Sequence, residues 1–174
     1  TFATGELEEM ASHLAQAESL FVRQGDQFGL SALAAIEVER ARAVADTAQA
    51  RTAAVRFRRD SERWGGIWPI EAHRSVARVA MDRGDWARAQ AHFDSALAGA
   101  RAIAASGGVP TSAQDLGILA LRRGDLALAR SILERVAREI PTEQAAYRHY
   151  ARTQLASVYL RTGDVARAAE TALD

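Results

Sequence analysis

The chain has 174 residues, and its 22 basic residues, all Arg, balance 22 acidic ones to a formal net charge of zero. That balance leaves no basic footprint for nucleic acid. The Arg-only habit, with Lys and Asn both absent, points to a GC-rich genome rather than to a function. Cysteine is absent too, which excludes disulfides, thiolate metal sites and a thiol nucleophile.

Taken in chain order, apolar residues at helical spacing predict helices over about 6–23, 28–44, 46–63, 70–83, 85–105, 111–123, 125–139, 142–162 and 164–173. Gly25-Asp26 breaks the first, and the later breaks are Trp64-Gly65-Gly66, Ser106-Gly107-Gly108-Val109-Pro110 and Ile140-Pro141. Pro69 suits the first turn of its helix. Thr111-x-x-Gln114 has the form of a capping box, and Thr142 is a second candidate cap. No stretch alternates with period two, so no sheet is expected.

A five-residue pattern, Asp-x-Ala-x-Ala, recurs at Asp46, Asp85, Asp125 and Asp164, with spacings of 39, 40 and 39 residues. Gly5-Glu6-Leu7 reads as a degenerate earlier copy. Gly84, Gly124 and Gly163 precede the acid, and Ala45 takes that place once. Gly closes a helix in the left-handed conformation, and the Asp after it caps the next. Arg83, Arg122, Arg123 and Arg161 stand in the preceding last turns, where positive charge suits the helix dipole. The two Ala residues after each Asp are expected to keep the second helix thin at a close approach. A fixed period with helices between the marks is the pattern of a stacked helical array.

These residues resemble the tetratricopeptide-repeat family. Asp85, Trp86, Ala89, Phe93 and Ala96 fall on the family's second-helix pattern; Leu116, Gly117, Ala129 and Pro141 follow it in the next unit, and Leu155, Ala156, Tyr159 and Ala168 in the last. The resemblance implies an all-α helical-repeat solenoid, a right-handed superhelix of antiparallel helix pairs, over a single domain 1–174 with units at about 1–24, 25–64, 65–106, 107–140 and 141–174. The period exceeds the family's 34 residues. In that respect, and in Phe21-x-x-x-Gly25-Asp26-x-x-Gly29, the chain resembles the helical arrays of large bacterial LuxR-class transcription activators and antibiotic regulatory proteins. Neither end supplies a polar cap, so the chain reads as a piece of a longer protein that self-associates through its ends.

Catalytic chemistry finds little support. His13, His73, His92 and His149 form no pair or cluster, and no nucleophile elbow or phosphate loop occurs. Arg83-Gly84-Asp85 spells an adhesion tripeptide, but its Gly and Asp are explained as helix stop and start. Arg56, Arg58 and Arg59 are expected to pair locally with Asp60 and Glu62. Trp86 is expected in the core, and Trp64 and Trp68 are expected to pack beside their linker.

In the family, the first helix of each pair lines the concave surface. Carried over, this implies a partner groove of Glu71, Arg74, Arg78, Gln114, Arg122, Tyr150, Thr153, Ser157 and Arg161, with Glu39 and Arg42 before Pro69. The implied function is non-catalytic binding of a protein or peptide segment, one with acidic groups, in the regulatory or sensor region of a bacterial transcription regulator. The chain itself would need no cofactor or metal and would bind no nucleic acid. Alternatives are a scaffold attached to a nucleotide cyclase or protease, and a small-effector sensor. No segment reaches the ~18 apolar residues of a membrane span and no signal peptide is present, so a cytoplasmic location is expected.

Overall fold

The breaks at the five Asp marks are built on the same few atoms. The computed structural model describes residues 4–103, 108–140 and 144–173. Among them are the helices α1 (Thr4–Gln24), α2 (Gln27–Ala43), α3 (Thr47–Ser61), α4 (Trp68–Asp82), α5 (Trp86–Ala102), α6 (Gly108–Arg123), α7 (Leu126–Glu139), α8 (Ala145–Arg161) and α9 (Val165–Leu173), with no strand among the described residues. The fold class is therefore all-α, as the sequence implies.

At each mark the Asp N–H reaches back five residues to a carbonyl: Asp26 to Phe21, Asp46 to Ala41, Asp85 to Ala80, Asp125 to Ala120 and Asp164 to Tyr159, all at 2.8–2.9 Å. This is the Schellman closure, which requires a left-handed residue just before the Asp. Gly124 meets that need at φ 85, and Ala45 meets it at φ 57 despite its Cβ. The same Asp then caps the next helix. Its Oδ1 accepts from the backbone N–H three residues on, for Asp26 and Asp46 at 2.9 Å and for Asp125 and Asp164 at 3.1 Å.

The chain divides into two compact units, Thr1–Asp85 and Trp86–Asp174. In the first, α1 packs on α2, α2 on α3, α3 on α4, and α2 also touches α4 directly. In the second, α5 to α9 pack consecutively, with α6 also against α8. Direct contact between alternate helices places α2 beside α4, and α6 beside α8.

Of the two Ala residues after each Asp, only the second is buried. Ala50, Ala89, Ala129 and Ala168 are each at most 4% exposed, whereas Ala48, Ala87, Ala127 and Ala166 face solvent. Residues two apart on a helix point to different sides, so one close-approach position per mark is all the geometry allows. Around them sit Val38, Ala41, Ala53, Val76 and Val79 in the first unit, and Leu121, Leu133, Leu155, Val158 and Tyr159 in the second. Gly117 allows a similarly close approach, since a Cβ there would lie 2.8 Å from Leu133 Cγ.

Three local expectations need correction. Helix α6 begins at Gly108, so Thr111 and Gln114 are buried inside it, and Thr111 Oγ1 donates to the Gly108 carbonyl at 3.1 Å instead of capping. Pro110 does not delay the helix, because in a first turn its missing N–H would have no partner anyway. Trp86 is 37% exposed rather than core; as the first residue of α5 it has no preceding turn of its own helix to cover. Thr142 and Pro141 lie outside the described residues.

Trp64 and Trp68 do pack. Both meet Phe28 edge-on, at centroid distances of 5.4 and 4.9 Å, and Trp68 also meets Phe57 at 6.1 Å. The Trp64 indole N–H donates to Ser31 Oγ at 3.2 Å.

Candidate binding surface

The most organised polar surface of the first unit lies where α2 and α4 run side by side. Arg42 stands in the last turn of α2, and its Nε donates to Asp82 Oδ2 at 2.6 Å while Nη1 donates to Glu39 Oε2 at 2.7 Å. The other oxygen of Glu39 accepts from Arg78 at 3.3 Å. One turn or more earlier on α4, Arg74 donates to Glu71 at 2.7 Å. Each α2–α4 link joins residues one repeat apart, 40 for Arg42 to Asp82 and 39 for Arg78 to Glu39. The repeat period thus sets two like helices beside each other and matches acid to base.

Burial by itself would lower the Arg42 pKa, but the hydrogen bond to Asp82 and the charge of Glu39 outweigh it, and the guanidinium sits above its ordinary value. Exposed pairs contribute only about 0–1 kcal/mol each. The main effect of this ladder is to fix where charges stand. It borders a cleft of about 500 Å3 whose other walls are Ala43, Ala45, Thr47, Ala50 and Val79. A charged rim over a floor of small apolar groups can hold an extended side chain and orient its polar end.

The groove residues implied by the sequence are placed in several different settings. Glu39, Arg42 and Arg78 come together in the ladder, joined by Asp82, which the sequence reading did not name. Asp82 could have been found one repeat after Arg42 and one turn after Arg78. Arg74 is buried at 8% exposure, and Gln114 at 3%, its Nε2 without a hydrogen bond. Arg122, Tyr150 and Thr153 are exposed. Ser157 Oγ and Thr153 Oγ1 each donate to a carbonyl of their own helix at 3.0 Å. Arg161 Nη1 donates to the Leu121 carbonyl at 2.9 Å, closing the end of α6.

The other basic cluster pairs much as expected: Arg59 with Asp60 at 2.8 Å and Arg58 with Glu62 at 3.3 Å, while Arg56 reaches Glu18 of α1 at 3.2 Å. In the second unit, Tyr159 donates to Glu134 at 2.8 Å, and Arg130 and Arg167 lie 5.6 and 5.9 Å from its ring. Arg130, hydrogen-bonded to Glu134 at 2.7 Å, holds that carboxyl below its usual range, with the Tyr159 hydroxyl adding to the effect.

Residues 70–138 match the tetratricopeptide-repeat family model. The chain is similar in structure to the crystal structure of BtubC (BKLC) from P. vanneervenii, with a TM-score of 0.72 and 17% identity over 95% of this chain and 73% of that one. Likeness at that identity concerns the fold alone. Comparison with curated proteins finds no match. Tetratricopeptide repeats generally serve as protein-interaction modules. No helix among the described residues is long and apolar enough to cross a membrane.

Proposed function

We propose that this chain is a non-catalytic module that binds a protein segment along the α2–α4 face. The observation that supports it is the ladder Glu39–Arg42–Asp82 with Arg78, set at the rim of an apolar-floored cleft of about 500 Å3. Acidic side chains of the partner would compete with Glu39 and Asp82 for Arg42 and Arg78. Such exchange of ion pairs favours specificity over raw affinity. The period near 40 residues supports the regulatory or sensor region of a larger bacterial transcription regulator as the setting.

The test is a fluorescence-anisotropy screen of labelled acidic, neutral and basic peptides against the protein and its Arg78→Ala and Asp82→Ala variants. The reading expects acidic peptides to bind, more tightly at low salt, and more weakly to Arg78→Ala. Binding that ignores both substitutions, or no peptide binding at all, would refute the face assigned here. For the setting, coding sequence beside this segment that specifies a helix-turn-helix domain would support a regulator, and a catalytic domain would support a scaffold.

A further inference from the structure

The cleft at the ends of α2 and α4 does not balance in charge. Two carboxylates, Glu39 and Asp82, line it against one guanidinium, Arg42, while Arg78 lies outside the lining. The pairs Glu39–Arg78 and Arg42–Asp82 ascend both helices in the same direction, so α2 and α4 are parallel. Arg42 is in the last turn of α2 and Asp82 ends α4. Two helix C-termini, each with a partial negative charge, therefore meet at this cleft. The site is electronegative in a chain whose formal net charge is zero. Both carboxylates are within reach of a ligand, with side chains 49% and 29% exposed. Asp82 accepts two hydrogen bonds, both from Arg42, and Glu39 accepts one on each oxygen. A carboxylate has about four acceptor positions, so each keeps capacity for a further donor.

On the footing that the α2–α4 face binds a protein segment, we propose that this cleft takes a Lys or Arg side chain of that segment, two positions from an acidic residue that engages Arg78. The cationic head stands between Glu39 and Asp82. Its aliphatic stem lies along the floor of Ala45, Ala50 and Val79, as long basic side chains do on apolar surfaces. The spacing follows from the helix. Arg78 and Asp82 are four residues apart on α4, about 6 Å of rise. Residues two apart in an extended segment lie about 6.6 Å apart and share a side. When the acid takes Arg78 from Glu39, the base gives Glu39 a new partner. An acid-only segment leaves Glu39 one partner short.

Fluorescence anisotropy with short labelled peptides tests this. The set holds Glu and Arg two apart, the same pair adjacent, Glu alone, and the spaced pair with Arg replaced by short-stemmed diaminopropionate. The spaced pair is expected to bind about tenfold more tightly than Glu alone, and the adjacent and short-stemmed peptides to lose most of that gain. Asp82→Asn should weaken the spaced pair about tenfold. It should leave the Glu peptide at least as tight, because it frees Arg42 from a competitor. Circular dichroism would verify that this near-isosteric variant is folded. A spaced pair no tighter than Glu alone, or equal weakening of both peptides by Asp82→Asn, would overturn the cleft assignment and leave the partner face standing. Adjacent or short-stemmed peptides as tight as the spaced pair would overturn its geometry. If no peptide binds, the partner face fails as well.

Discussion

Ala45 and Gly124 occupy equivalent joints between helices, and exchanging their identities tests the physical account of the repeat. Ala45 sits at φ 57 and Gly124 at φ 85. An L-residue with a Cβ in that region carries a penalty of roughly 1–2 kcal/mol. Replacing Gly by Ala also removes freedom from the unfolded chain, a gain of about 0.4–1 kcal/mol for the folded state. The difference is roughly 1 kcal/mol in favour of Gly at either joint. A Cβ at Gly124 would meet nothing within 4 Å, so no steric effect contaminates the comparison there. Ala45→Gly should therefore raise the melting temperature and Gly124→Ala should lower it by a similar amount. The shift is about 2–4 °C if the chain melts as one, and about 4–8 °C for the affected transition if each unit melts by itself. Thermal unfolding followed by far-UV circular dichroism reads both. If Gly124→Ala is neutral while Ala45→Gly destabilises, then the left-handed closure does not govern these joints.

Gly117→Ala should also destabilise, by about 1 kcal/mol: helix propensity gains about 1 kcal/mol, but the new Cβ lies 2.8 Å from a fully buried Leu133, and overpacking costs about 1–3 kcal/mol. An unchanged melting temperature would mean that α6 and α7 separate freely. Ala129→Leu, at a position with 0% exposure, should cost about 1–3 kcal/mol by the same mechanism, measured by urea unfolding; a neutral result would place the register wrongly. Burial, and then the charge of Arg58, push the His73 pKa below its ordinary value. Between that folded value and about 6.5 the unfolded chain binds more protons. The stability from neutral His73 is thus present above about pH 6.5 and lost as pH falls through the folded value, and His73→Gln should flatten that part of the profile.

Helix positions were legible because the Gly-Asp mark does two jobs that sequence alone can recognise, stopping one helix and capping the next. One segment without the mark was misread, although Trp64-Gly65-Gly66, which also lacks it, does separate α3 from α4. Gly108-Val109-Pro110 reads as a breaker by composition, yet it forms the first turn of α6. The position of Ala129 was readable from its spacing to Asp125, whereas the exposure of Ala127 depends on a helical face that spacing does not announce. Among the polar residues, Glu39, Arg42 and Arg78 could be named as candidates, but not their mutual pairing or Asp82. Those contacts join chain positions 39 or 40 apart, and adjacency across that distance exists only once two repeats are stacked. The division after Asp85 falls at a mark that reads like the others.

The packing order has a kinetic consequence. Within each unit, helices touch only their immediate successor or the next but one. A chain whose contacts are all this short in range closes small loops, at low entropic expense, before each packing gain is realised. Such topologies fold fast for their length, within about microseconds to milliseconds in the small helical proteins where rates are known. Either unit can nucleate around any adjacent pair and grow helix by helix, so a nascent chain gains structure as each new pair emerges rather than waiting for its last residue. The early intermediates expose one packing face at a time, which limits the apolar surface open to misassociation during synthesis.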